Sequence, residues 1–251
     1  MGVDDISTPG RRDPDRPELS LAARRWNRTA PVPPRRAALR RLANEVRRLI
    51  AAVVTSRAEQ DDLERCASQV SEVADALEAL PSGSAYEGVA EAALAGADAE
   101  IDAHLVYDHS PLIGEASPLA PPVRIEIVED HVVGTVTFSN PYEGPPGFVH
   151  GGYIAAMFDE VLGAAQCLSG TAGMTAHLGV DYRQPTPLNV ELRLEGRLDR
   201  VEGRKVFVSG TCWHEGQVTS EANGLFITFD ADRFSAMRAA RNEASDGPDP
   251  A

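Results

Sequence analysis

The sequence predicts an α+β fold in which an antiparallel sheet wraps around one central helix and follows an N-terminal helical extension. A long apolar segment lies at residues 153–168, directly behind a glycine turn, and a helix that is apolar on every side is normally buried. Two segments of alternating polar and apolar residues precede it, and four extended segments follow it. Such alternation is typical of antiparallel strands with one wet face, so this order favours a single sheet around the helix.

The first 35 residues are predicted to form a disordered basic arm. The first 50 residues contain twelve Arg and six acidic residues, a charge of +6, whereas the whole chain carries −14. A proline-punctuated basic segment can contact nucleic acid or an acidic surface, but its composition is typical of a disordered arm. The remainder therefore carries −20, which argues against a nucleic-acid-binding core. We expect no nucleic-acid partner.

Residues 36–109 are predicted to be a helical extension. Two groups of apolar residues repeat at spacings of three and four on either side of a polar break near Thr55 and Ser56. This pattern predicts a helical hairpin that ends at residues 81–84, with narrow seams that pack against each other, a partner subunit or the main domain. The Ala- and acid-rich residues 86–107 indicate a further short helix. The first seam consists of Leu39, Leu42, Val46, Leu49 and Val53, and the second of Leu63, Cys66, Val70, Val73, Leu77 and Leu80.

The first two strands are predicted to form a hairpin at residues 123–138. Apolar residues alternate with polar ones on both sides of a turn at residues 129–130. Residues 110–122 form the loop that leads into the hairpin, and Asn140 begins the loop that leads to the helix.

The segments after the helix are predicted to complete the sheet. The chain returns to an extended pattern at residue 174, and apolar residues alternate with polar ones over 188–199. Two further strands are expected at 205–213 and 217–229. The polar residues 232–251 are predicted to be a flexible tail.

The central helix carries two charges, Asp159 and Glu160, in otherwise apolar surroundings. An unpaired carboxylate that ionises in such a helix costs several kcal/mol, so it is usually satisfied by partners, shifted in pKa, or functional. A structural interpretation stays open, in which one or both acids lie at a subunit rim and meet solvent or hydroxyl donors.

The start of this helix offers a second functional group. His150, Gly151 and Gly152 form a turn, and the first backbone N–H groups of a helix have no partner within it. The amides from Gly151 to Tyr153 are therefore candidate donors to a developing oxyanion. Asp159 lies seven residues after Gly152, roughly 10 Å along a helix axis. Because one helix cannot easily place both groups on one carbonyl, we expect a second copy of the chain to complete the site.

Two motifs resemble a known family. The pattern His-Gly-Gly, six residues and Asp at 150–159, and the segment MTAHLGVDYRQPTPL at 174–188, are similar to the hotdog-fold acyl-CoA thioesterases of the PaaI-like branch and to the thioesterase superfamily. The resemblance covers about residues 110–230 and implies a hotdog domain at 110–231. It further implies an acyl-CoA substrate and a homodimer or dimer of dimers, and it implies neither a metal nor an organic cofactor.

The resemblance also implies roles for individual residues. Asp159 matches the catalytic carboxylate, which would attack the thioester directly or activate water as a general base. Thr175 matches a hydroxyl residue that assists there, although it also suits a strand as a β-former. The amide of Gly152, with Gly151 beside it, would bind the carbonyl oxygen.

Three further residues are candidates. The resemblance implies a functional role for His150 and Asn140, and each of these two also has a structural interpretation. His150 would contact the thioester, or it caps the glycine turn. Asn140 would hydrogen-bond the substrate carbonyl, although an Asn-Pro turn is sufficient reason for it. His177 follows Thr175 by two residues, so it is expected to share that face of the strand and to line the site.

Two other functions stay open: a non-catalytic acyl-CoA or acyl-ligand binding module, and a dehydratase of the same fold. A dehydratase pairs a His with an acid, but the position of Asp159 matches the thioesterase pattern better. Retention of Asp159 together with Thr175 speaks against a binding module. Serine-hydrolase, nucleotide and zincin motifs are absent from the sequence.

The three cysteines, Cys66, Cys167 and Cys212, are an odd number without a Cys-x-x-Cys spacing. This argues against a disulfide framework and a zinc site, and each is expected to be a small buried hydrophobe. The sequence has no apolar run of about 18 residues and no basic-then-apolar leader, so we expect a cytoplasmic protein without a membrane span.

Overall fold

In the described residues, six strands form one antiparallel sheet: β1 (Val123–Val128), β2 (His131–Thr137), β3 (Gly173–Tyr182), β4 (Glu191–Glu202), β5 (Lys205–His214) and β6 (Gln217–Thr228). Their order across the sheet is β1-β2-β4-β5-β6-β3. A computed structural model of the chain describes residues 25–27, 31–81, 107–171 and 173–228. Helix α3 (Gly151–Gln166) lies between the second and third strands in sequence and packs across the sheet. The predicted α+β class and hotdog architecture are therefore confirmed.

The core forms between α3 and the inner face of the sheet. Phe158, Val161 and Leu162 of α3 are fully buried. Glycines on the strands allow the helix to approach closely, since a Cβ at Gly134 or Gly196 would lie 2.9 or 3.0 Å from the methyl groups of Val161. Such close packing fixes α3 in the concave face of the sheet and sets the position of every residue it carries.

The predicted wet face of β4 is confirmed in its first half. Leu192 and Leu194 are fully buried, whereas Glu191 and Arg193 are exposed. This alternation follows from the two-residue period of a strand with one face on the core.

Two helices, α1 (Pro34–Thr55) and α2 (Gln60–Glu78), precede the sheet. They confirm the predicted helices and the break after Thr55. However, every residue of α2 is exposed, and α2 packs neither along α1 nor against the sheet. The expected hairpin packing is therefore wrong within one chain, and a partner subunit remains as the predicted alternative.

Helix α1 docks on the loop before β1 through arginines. Arg40 contacts the fully buried carboxylate of Asp108 over 2.8 Å, and Arg36 reaches the same group over 3.4 Å. Arg47 donates hydrogen bonds to the carbonyl oxygens of Gly114, Glu115, Ser117 and Ala120 at 2.6–3.1 Å. A polar face of α1, rather than its apolar seam, holds it to the domain.

Within the arm that was predicted to be disordered, Arg25–Asn27 forms a short 3-10 turn. Trp26 is buried and stacks on Tyr107 with ring centroids 5.2 Å apart. The Asn27 side chain accepts a hydrogen bond from the Ile127 N–H at 2.7 Å and donates one to the Ile127 carbonyl. Buried aromatic area and paired backbone groups therefore dock this part of the arm on β1.

Some predictions concern residues outside the described ranges. These are the rest of the arm at 1–24 and 28–30, the further short helix at 86–106 and the tail at 232–251. The domain boundaries that depend on them stay predictions.

The cysteines differ from one another in their surroundings. Cys212 is buried as predicted, and Cys167 is half-buried. Cys66 is exposed on α2, so its predicted burial is wrong, because none of the described residues covers that helix. In the described part of the chain, no helix is both long and apolar enough to cross a membrane.

Candidate active site

Asp159 lies on α3 and its side chain meets β3, a strand at one edge of the sheet. The Thr175 hydroxyl donates a hydrogen bond of 2.8 Å to Asp159 Oδ1. Asp159 is half-buried and Thr175 is exposed. The structure thus brings together two predicted site residues that are sixteen positions apart, and Oδ2 has no partner among the described residues.

A β-bulge separates His177 from Thr175. Thr175 pairs with Phe226 and His177 pairs with Leu225, with an irregularity between them that leaves Ala176 unpaired. Phe226 points into the core, and adjacent residues of a strand point to opposite faces. The prediction that His177 shares the face of Thr175 is therefore wrong, because one inserted residue reverses the alternation.

His150 caps the start of α3. Its Nδ1 accepts a hydrogen bond of 3.0 Å from the Gly152 N–H, and its carbonyl accepts one of 2.9 Å from the Tyr153 N–H. A neutral imidazole that accepts at Nδ1 carries its proton on Nε2. The Gly152 amide is thus engaged, whereas the Gly151 N–H has no hydrogen-bond partner in the described part of the chain.

Tyr182 is a site residue that the sequence analysis missed. Its hydroxyl donates a hydrogen bond of 2.7 Å to the Gly151 carbonyl, and a Cβ at Gly151 would lie 3.3 Å from the phenol end of its ring. The peptide between Gly151 and Gly152 is therefore held at both ends, by Tyr182 at the C=O and by His150 at the N–H. The bulge in β3 sets which face Tyr182 occupies, and no turn residue in the sequence marks that bulge.

Asn140 belongs to a turn that a backbone hydrogen bond joins to His150, the residue before α3. It begins a 3-10 turn, Asn140–Tyr142, and the Tyr142 carbonyl accepts a hydrogen bond of 2.9 Å from the His150 N–H. Its half-buried side chain has no hydrogen-bond partner among the residues described. The amide of Asn140 is thus available to a ligand.

Glu160 follows Asp159 and is half-buried. Burial, and secondly the charge of Asp159, raise the pKa of the Glu160 carboxyl to about 7. The charge of Glu160 therefore changes with pH near neutrality. No group of three or more His, Cys, Asp and Glu in the described ranges could hold a metal ion.

The two halves of the candidate site do not meet in one chain. Gly151 and Asp159 are on the same helix, eight residues or roughly 12 Å apart along its axis. The Gly151 amide lies at the helix start beside Tyr182, whereas Asp159 lies two turns further along, beside Thr175. A single thioester carbonyl cannot contact both groups.

The sheet around one buried helix defines a hotdog fold, with a hydrogen-bonded carboxylate on that helix as the candidate site. A family model described as thioesterase superfamily matches residues 146–221. The crystal structure of protein RHA08564, a thioesterase superfamily protein, is 36% identical with a TM-score of 0.62, over 75% of this chain and 94% of that chain. The chain therefore belongs to the thioesterase superfamily.

Curated relatives match the same region. The acyl-coenzyme A thioesterase THEM4 of Xenopus laevis is 43% identical over 90 residues, 35% of this chain and 40% of the relative. That of Bos taurus is 41% identical over 98 residues, 38% of this chain and 40% of the relative. The match thus spans about two fifths of the length of these relatives.

Proposed function

We propose that the protein hydrolyses an acyl-CoA thioester to the free acid and CoA. The observation that carries this proposal is the hydrogen bond of 2.8 Å from Thr175 to Asp159, which orients a carboxylate on the largely apolar helix α3. The names of the THEM4 relatives support acyl-CoA as the substrate class.

The proposed site is shared by two copies of the chain. In the described sheet β3 pairs only with β6, so its other edge presents unpaired backbone groups. Met174, Thr175, Ala176 and His177 are exposed along it. A second copy that adds its own β3 to this edge would continue the sheet and bring the start of its α3 toward Asp159.

The Gly151 amide is the proposed oxyanion donor, in place of the Gly152 amide that the sequence favoured. The Gly151 N–H has no hydrogen-bond partner among the described residues. It lies at the positive end of the α3 dipole, which stabilises negative charge. Tyr182 and His150 hold the next peptide rigid, so this donor needs little rearrangement when charge develops. The Nε2 proton of His150 and the amide of Asn140 are further donors to the substrate carbonyl.

Asp159 acts in one of two ways. As a general base, it takes a proton from water while the water oxygen bonds to the thioester carbon, and the carbonyl π electrons move to the oxygen held by Gly151. The intermediate then expels the CoA thiolate, which takes up the proton. As a nucleophile, Asp159 Oδ2 displaces the thiolate to form a mixed anhydride, which water hydrolyses. In both routes Thr175 fixes Oδ1 and leaves Oδ2 for the reaction.

A dehydratase is less well supported, because no described histidine contacts Asp159 and the bulge directs His177 to the opposite face. A non-catalytic acyl-ligand module would use the same apolar surroundings and the same amides. Turnover distinguishes it from an enzyme.

The test is release of free CoA thiol from acetyl-, benzoyl- and palmitoyl-CoA by wild type, Asp159→Asn and Asp181→Asn. Asp181 is an exposed aspartate on the same strand as Thr175, which makes it a matched control. We expect turnover that Asp159→Asn lowers by about 10²- to 10⁴-fold and Asp181→Asn leaves unchanged. Binding without turnover would establish the acyl-ligand module, and equal activity of Asp159→Asn would exclude this carboxylate.

A further inference from the structure

Helix α2 presents a regular apolar seam that no other described residue of the chain covers. Its apolar residues repeat with a strict seven-residue period, which is the pattern of a helix that packs along another helix. Their exposed fractions are large for such side chains, with 47% at Leu63, 42% at Val70, 55% at Val73 and 42% at Leu77. Leu80, two residues beyond the end of α2, continues the spacing and is 59% exposed. Cys66 belongs to the same seam and is also exposed.

The charges of α2 disfavour its association with another α2. Helix α2 has six carboxylates and one arginine, a charge of −5, whereas α1 has six arginines and one glutamate, a charge of +5. Two copies of α2 would repel each other, and α1 would attract α2. The charge pattern therefore selects α1 as the partner.

Helix α1 also has an apolar seam, on a different face from the arginines that dock it on the domain. This seam, on average about 130° around the helix from Arg40 and Arg47, consists of Leu39, Leu42, Val46, Leu49 and Val53. The seam becomes more exposed toward the end of α1, with Leu49 37% and Val53 66% exposed.

The two seams match residue for residue when the helices run antiparallel. Counted backwards from Leu80, the apolar residues of the α2 seam are separated by three, four, three and four positions. The residues of the α1 seam, counted forwards from Leu39, have the same separations. Five apolar pairs therefore form in one antiparallel register. These pairs are Leu80 with Leu39, Leu77 with Leu42, Val73 with Val46, Val70 with Leu49, and Cys66 with Val53.

The link between the helices directs α2 away from its own α1. The backbone is extended at both ends of this link, with ψ of 139° at Ser56 and 160° at Glu59. We propose that the seam of α2 packs antiparallel on the α1 seam of a second copy of this chain, as an exchange of helices between protomers. This contact is independent of the proposed catalytic residues.

Disulfide cross-linking between two kinds of chain tests the exchange. One chain carries Val53→Cys with Cys66→Ser, and the other is wild type at both positions and carries a size tag. Val53 and Cys66 are exposed, so the substitutions leave the fold intact. After co-expression and mild oxidation, we expect a covalent heterodimer on a non-reducing gel, because position 53 of one chain meets Cys66 of the other.

The matched control replaces Val53→Cys by Val54→Cys. Val54 is 56% exposed on the same helix but lies outside the seam, so several-fold less heterodimer is expected. A heterodimer yield equal for positions 53 and 54 would overturn the proposal. The same conclusion would follow if a chain with Val53→Cys and its native Cys66 closed the disulfide within itself, because α2 would then pack on its own α1.

Discussion

Gly151 is the residue on which the proposed oxyanion site depends most. It is the first residue of α3 and follows His150, whose extended backbone has φ −61° and ψ 129°. Proline is tolerated at this helix position and after an extended residue, and it lacks an N–H. Gly151→Pro therefore removes the proposed donor without interrupting the helix. We expect kcat for thioester hydrolysis to fall by about 10²- to 10³-fold.

The control for this substitution is Gly151→Ala, which keeps the N–H and adds the same Cβ, 3.3 Å from the Tyr182 ring. It should lose far less of kcat than Gly151→Pro. Equal losses in the two variants would assign the effect to the contact with Tyr182 rather than to the missing donor.

Glu160 gives a prediction about pH and stability. Its pKa is raised from 4.5 to about 7 in the folded protein, so the folded state binds this proton more tightly than the unfolded state does. The free energy of unfolding therefore decreases as pH rises from about 4.5 to about 7. Glu160→Gln removes the ionisation. We expect it to raise the free energy of unfolding at pH 8 by about 1–3 kcal/mol, and to leave it unchanged at pH 4.

Urea unfolding at the two pH values measures this difference. Glu191→Gln, at an exposed glutamate of β4, is the control and should change stability at neither pH. A Glu160→Gln variant with the same stability gain at pH 4 and pH 8 would show that packing, not ionisation, causes the gain.

At the scale of elements, β3 shows where a sequence pattern stops being informative. Alternation predicts that Thr175 and His177 share a face, and one unpaired residue at the bulge reverses this. The same bulge places Tyr182 over Gly151. The contact between Thr175 and Asp159 joins two residues that the resemblance had singled out, whereas the contact of Tyr182 depends on a register that no local residue preference fixes.

The docking of α1 depends on Arg47. Its guanidinium donates to four backbone carbonyls of the loop before β1, and burial lowers the pKa of this group. Arg47→Met leaves these carbonyls without their donor. We expect a loss of about 2–4 kcal/mol in the free energy of unfolding, because hydrogen bonds to a charged group are strong but not additive.

Arg48→Met is the matched control, since Arg48 is exposed and pairs only with Glu45 in the described chain. An exposed ion pair of this kind contributes at most about 1 kcal/mol. If urea unfolding gives Arg47→Met and Arg48→Met the same midpoint, the carbonyl contacts do not hold α1 in place.

For the whole molecule, the sequence was most informative where apolar residues form a clear pattern. The strands and the two N-terminal helices each have a periodic pattern that predicts the element, and the segment that is apolar on every side predicts the buried α3. Trp26 was missed because one aromatic residue in a basic, proline-rich segment has no periodic partner. The exposure of α2 could not be predicted, because its seam implies a partner without saying which chain supplies it.

The split between Gly151 and Asp159 is likewise a property of the assembly. Each chain contains both residues, but in the proposed dimer a site is complete only when the start of α3 in one chain approaches Asp159 of the other chain. Two chains with different inactivating substitutions can therefore form one intact site between them. This would be impossible if each site lay within a single chain.

The most direct measurement is thiol release by mixed dimers of Asp159→Asn and Gly151→Pro chains, co-expressed with two different tags and purified through both. Each mixed dimer would contain one site with both groups intact, so we expect about half of the wild-type activity although each parent is nearly inactive. Activity no higher than that of the parents, in mixed dimers of confirmed composition, would contradict a site shared between two copies.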